Sequence, residues 1–96
     1  MLCFGLYMYA SESPSHSFKP EGGFVPDEAT AINIAQAVLT PIYGKEKLEK
    51  EKPLVAKQNN GVWIVSGTMQ KGLKGGVSII EILKDDARIL RVSHGK

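Results

Sequence analysis

Hydrophobic positions change their spacing once along the chain, and the change falls near Pro53. In "VPDEATAINIAQAVLTPIYG", Ala31, Ile32, Ile34, Ala35, Val38 and Leu39 recur at helical spacing and make one broad apolar face, with Asn33 and Gln36 on the other side. Pro26 suits a first helical turn, where its missing N–H costs nothing, and Asp27 and Glu28 put negative charge at the positive end of the helix dipole. Pro41 disfavours the helical region for Thr40, so the helix is expected to end or kink there. The following "KEKLEKEK" alternates in sign and has only Leu48 as an apolar anchor. It reads as a solvated turn laced by pairs such as Glu46 with Lys50, in preference to a charged recognition helix.

Beyond Pro53 the pattern is that of antiparallel sheet. "PLVAKQ" and "VWIVSGTM" flank "NNG", a strong hairpin signal, and "GVSIIEIL" and "RILRVSH" flank "KDDA", a second hairpin. A three-residue loop of Asp85, Asp86 and Ala87 would oppose Ile80 to Val92, Ile82 to Leu90 and Leu83 to Ile89, and would set Glu81 across from Arg91. That register asks a left-handed backbone of Ala87, which is not glycine. One helix followed by four short strands gives an α+β fold, with the helix covering one face of a four-stranded antiparallel sheet.

Residues 11–23, "SESPSHSFKPEGG", show no period and read as a linker, so the chain divides into an arm and linker over 1–23 and one domain over 24–96. The uncharged "MLCFGLYMYA" is far shorter than the roughly 20 residues that cross a bilayer, so no stable membrane span is expected. It lacks the basic start of a secretory signal. Two readings stay open: a signal remnant, with export to the periplasm, or an arm that pairs as an extra N-terminal strand. Without export the protein would be cytoplasmic. A single cysteine, Cys3, rules out an internal disulfide and any Cys-x-x-Cys motif.

The charge balance, 12 Lys and Arg against 10 Asp and Glu, is too mild for a nucleic-acid partner, and Arg occurs only at Arg88 and Arg91. His16 and His94 are the only histidines, too few to expect a metal site, and no strand–turn–Ser elbow presents a nucleophile. No catalytic residue, metal or cofactor is therefore expected. Glu81 is an acid within an apolar strand: either a pocket acid or, more simply, the cross-strand partner of Arg91. Trp63 is a binding aromatic or, more simply, core or edge packing, and Tyr43 reads as a cap over the end of the sheet. "KGLKGG" lacks the P-loop spacing, and no helix follows it.

The helix segment, "NNGVWIVSGTM", "KGLKGGVSIIEI" and "ILRVSHGK", in this order, resemble the bacterial NTF2-fold immunity protein family. The likeness runs from about Val25 to the C-terminus. Where that family often has Asp-Gly before the last strand, this chain has Ala87 in the glycine's place. The resemblance implies a helix on a curved sheet, as in NTF2 and cystatin folds, and a protein that binds and neutralises a cognate toxin by occluding it, without catalysis. Loops on a rigid scaffold concentrate binding residues, so Lys71, Gly72, Leu73, Lys74 and Gly75 are the expected toxin contacts, Leu73 as an apolar anchor between two cations. The alternative is a small-ligand or peptidoglycan-binding module on the concave face of the sheet, with Glu81, Arg91 and Trp63 as its candidates. An enzyme of the same fold would need an acid–base pair, of which Glu81 is the one candidate.

Overall fold

A computed structural model describes residues 17–71 and 75–95. The apolar arm with Cys3, together with His16, Gly72, Leu73 and Lys74, lies outside them. The elements are α1 (Glu28–Tyr43), α2 (Lys45–Lys50), β1 (Val55–Asn59), β2 (Val62–Ser66), β3 (Ser78–Leu83) and β4 (Ile89–His94). The strands form an open antiparallel sheet in the order β1-β2-β3-β4, and α1 packs across β1, β2 and β3.

Asp27 starts α1 as its N-cap, accepting from the Thr30 amide at 2.9 Å and the Thr30 hydroxyl at 2.6 Å. Ala31, Ala35 and Leu39, four residues apart, form its buried line, with Ile32, Ile34 and Val38 half-buried beside it. Alanines at two of these three positions let the helix axis lie close to the sheet. The helix runs through Pro41 to Tyr43 instead of stopping at Thr40. The ring removes one amide donor, and the Thr40 hydroxyl donates to the Gln36 carbonyl at 2.6 Å in the same turn. After Gly44 the charged run forms α2, not a solvated turn: Leu48 is buried and holds the short helix to the core. Its ion pair is Glu49 with Lys52, at 2.8 Å, just past the helix end.

Asn60 and Gly61 make the first hairpin turn with φ of 51° and 77°, the left-handed pair of a type I′ turn, and Asn59 opposes Val62. Ala56, Trp63, Val65, Ile80 and Ile82 face α1 and complete the core with Val25, Leu48 and Leu54. The indole of Trp63 donates to the Val25 carbonyl at 2.7 Å, which ties the segment before α1 to the centre of the sheet.

The second hairpin keeps part of its expected register. Ile80 opposes Val92 and Glu81 opposes Arg91, but the ladder then shifts and Ile82 opposes Ile89. Leu90 is the extra residue of a β-bulge. The Leu83 amide bonds to the Arg88 carbonyl and the Ala87 amide to the Leu83 carbonyl, so the loop has four residues, Lys84 to Ala87, not three. The pairings of Ile82 with Leu90 and Leu83 with Ile89 are thus replaced: the fourth loop residue, Lys84, is taken from the β3 side, which leaves β4 with one residue in excess, and the bulge at Leu90 restores the step. Ala87 has φ 69°, the left-handed backbone that its position demands.

Candidate functional site

Of the expected contact loop, the described residues are Lys71 and Gly75, both exposed. The segment joining β2 to β3 rises from a well-bonded base. Its first stem, 67–71, is held by three consecutive residues. The Glu51 carbonyl accepts from the Thr68 amide at 2.7 Å, the Lys52 carbonyl from the Gln70 side chain at 2.6 Å, and the Pro53 carbonyl from the Thr68 hydroxyl at 2.6 Å. The stems close on each other where the Gly67 amide donates to the Ser78 carbonyl at 3.0 Å. On the second stem, the Val77 carbonyl accepts from the Gly95 amide at 2.9 Å.

Beneath this base lies a buried polar cluster. Glu51 is 4% exposed, and its Oε1 accepts from the Ser78 amide at 2.7 Å. Oε2 lies 3.2 Å from His94 Nε2 and 3.4 Å from the Ser78 hydroxyl. His94 Nδ1 sits 2.8 Å from the Gly95 carbonyl. Both ring nitrogens therefore face oxygens, and a ring with one N–H can donate to only one of them at a time. Tyr43 covers the imidazole, with ring centroids 5.2 Å apart and planes tilted by 53°. The expected cap over the sheet's end is thus a lid on His94. A buried carboxylate is tolerated where donors converge on it, and here the Ser78 amide and hydroxyl do, joined by His94 when its Nε2 carries the proton.

The side of the sheet turned away from α1 carries no helix among the described residues. A row crosses all four strands there: Lys57, Ile64, Glu81 and Arg91 stand in register. Arg91 Nη1 reaches Glu81 Oε2 at 3.1 Å, with Arg91 more than half exposed. Trp63 does not join them. The alternation of β2 turns it to the opposite face, where it is buried against the core. The three residues of the alternative concave-face site are therefore not one site.

Among the described residues, no group of three or more His, Cys, Asp or Glu side chains is placed to hold a metal ion. No described helix is long and apolar enough to cross a membrane. An open groove of about 320 Å³ runs between Gly22, Asn60, Gly61, Leu83 and Asp85, at the other end of the strands from the Glu51 cluster. The Lys84 ammonium donates across it to the Gly22 carbonyl.

Sequence reasoning missed the Glu51–His94–Ser78 cluster. Glu51 sits in a charge run that looks solvated, and His94 is 43 residues away along the chain. Gly67 carries a faint signal, since a glycine at the end of an apolar strand marks a close approach. A Cβ there would lie 2.5 Å from Glu51 Oε1.

An α+β domain with one helix on an open four-stranded sheet, its candidate site built on inter-strand loops, is the class that the fold defines. Residues 30–96 match the family described as NTF2 fold immunity protein, and the chain belongs to that family. It is similar to two proteins of Escherichia coli K12. It is 40% identical over 73 residues to the uncharacterized protein YhhH, covering 75% of this chain and 58% of YhhH. It is 34% identical over 73 residues to the uncharacterized protein YbbC, covering 75% of this chain and 60% of YbbC. The aligned part thus spans less than two thirds of either relative. No solved structure matches the chain.

Proposed function

We propose that this protein neutralises a cognate bacterial toxin by binding it and covering its active site, acting as a partner and not as a catalyst. The observation that carries this reading is the family match over residues 30–96. The geometry is compatible with it in one respect: the segment between β2 and β3 stands on a firmly bonded base and presents the exposed Lys71 at its edge. A rigid base spares a binding loop part of the ordering cost of association. The lysines at 71 and 74 face acidic groups of the toxin, and Leu73 is the apolar contact between them.

The test uses the toxin encoded beside this chain, purified and also expressed in sensitive cells. The wild-type chain binds it and restores growth. Lys71→Glu with Lys74→Glu leaves the melting temperature nearly unchanged and abolishes protection. Desolvated lysine–carboxylate pairs would put the loss, about 2–5 kcal/mol, in dissociation, whereas rim pairs would mainly slow association. A wild-type chain that neither binds the toxin nor protects would end the proposal.

A further inference from the structure

We propose that Glu51 is a positioning residue that sets both stems of the segment between β2 and β3, the stems that end in Lys71 and Gly75, two of the residues assigned to toxin contact. The positioning itself is independent of that assignment, because it concerns residues 67–71 and 75–78 alone.

The argument starts from where the Ser78 amide bonds. Ser78 opens β3 and is fully buried, and its N–H donates to the Glu51 carboxylate at 2.7 Å. The carboxylate thus replaces a strand partner at the point where the second stem becomes sheet. The first stem meets the same residue twice. The Thr68 amide bonds to the Glu51 carbonyl, and Gly67 lies so close that a Cβ would be 2.5 Å from Oε1 and 2.8 Å from the Glu51 Cβ. One residue at the end of α2 therefore touches the last residue of one stem and the first of the other. His94, the last residue of β4, braces the carboxylate from the far side at 3.2 Å. A carboxylate kept only for packing would need neither set of contacts, and an apolar side chain of the same volume would leave the Ser78 amide without an acceptor.

Native-state hydrogen exchange on the full chain, read by NMR, tests this without the toxin. In Glu51→Ala the exchange of the Ser78 and Gly67 amides is expected to rise at least about 10-fold beyond any uniform acceleration shared by Ala35, Leu39 and Ile80, which follows the loss of global stability alone. Glu51→Gln retains one acceptor oxygen and is expected to restore protection at Ser78. Should Glu51→Ala fail to fold, Glu51→Asp provides the same reading, since it withdraws the carboxylate by one methylene and keeps its charge. Equal acceleration at every amide, or none at Ser78, overturns the positioning role. Affinity for the neighbouring-gene toxin is then measured on the same variants. Selective loosening of the stems with unchanged affinity would leave the positioning intact and refute the assignment of toxin contact to this segment.

Discussion

The amide of Ala87 donates to the carbonyl of Leu83 at 2.9 Å, and this bond holds Ala87 at φ 69°, in the left-handed region. A residue with a Cβ is disfavoured there, and glycine is not. Ala87 also packs, half-buried, against the core. Relief of the backbone and loss of a methyl oppose each other, and glycine loosens the unfolded chain as well. Ala87→Gly is accordingly expected to be neutral or stabilising by up to about 1 kcal/mol in urea denaturation. A clear drop in the midpoint would show that the methyl contact outweighs the strain.

The bond from the Trp63 indole to the Val25 carbonyl is buried at both ends. Trp63→Phe keeps an aromatic ring but strands that carbonyl and leaves a gap. The two effects together are expected to cost about 2–4 kcal/mol of stability. A loss under 1 kcal/mol would mean that water reaches the carbonyl in the variant.

Glu81 and Arg91 are a partly exposed cross-strand pair, so their contribution should be small. Glu81→Gln and Arg91→Met are each expected to lower stability by less than about 1 kcal/mol, with a coupling of about 0.5 kcal/mol or less in a double-mutant cycle. A larger coupling would mark the pair as shielded from solvent.

Acid should unfasten the start of α1. The Thr30 hydroxyl, and then the Thr30 amide, hold the Asp27 carboxyl below its ordinary value of 3.8. A carboxyl whose folded value is depressed contributes stability above its unfolded value and loses it as pH falls through the folded one. The melting temperature of the wild type should therefore exceed that of Asp27→Ala at neutral pH, with the gap narrowing as pH falls below 3.8. Glu49, lowered chiefly by its hydrogen bond from Lys52, titrates in the same window in both proteins and cancels in the comparison. A gap that does not change with pH would assign the cap to its neutral hydrogen bond alone.

What was legible in the sequence was local chemistry. Asp27 before an apolar helix face, Asn60-Gly61 between alternating runs, and Glu81 across from Arg91 each follow from residues close in sequence or joined by one tight turn. What was not legible depends on distant partners. Nothing near Leu48 marks a six-residue helix with a single apolar side chain, because its stability comes from the core it enters. The bulge at Leu90 arises from the length of a turn several residues away. The Glu51 cluster joins the end of α2, the start of β3 and the end of β4, which only the folded sheet brings together. The expected toxin contacts form one loop, of which the described residues are Lys71 and Gly75, at the ends of its stems.

The shift at Leu90 also bears on how copies of this chain behave in a crowd. Among the described residues β1 and β4 are the outer strands, and a straight outer strand is a template on which another chain can add a strand of its own. β1 is five residues long with the charged, exposed Lys57 at its middle. In β4 the additional residue puts the outward-facing amides and carbonyls out of step between Ile89 and Arg91, and the arginines at 88 and 91 flank the step with like charge. An incoming strand finds neither an even ladder nor a neutral one, so the sheet's own irregularity protects it from edge-to-edge polymerisation.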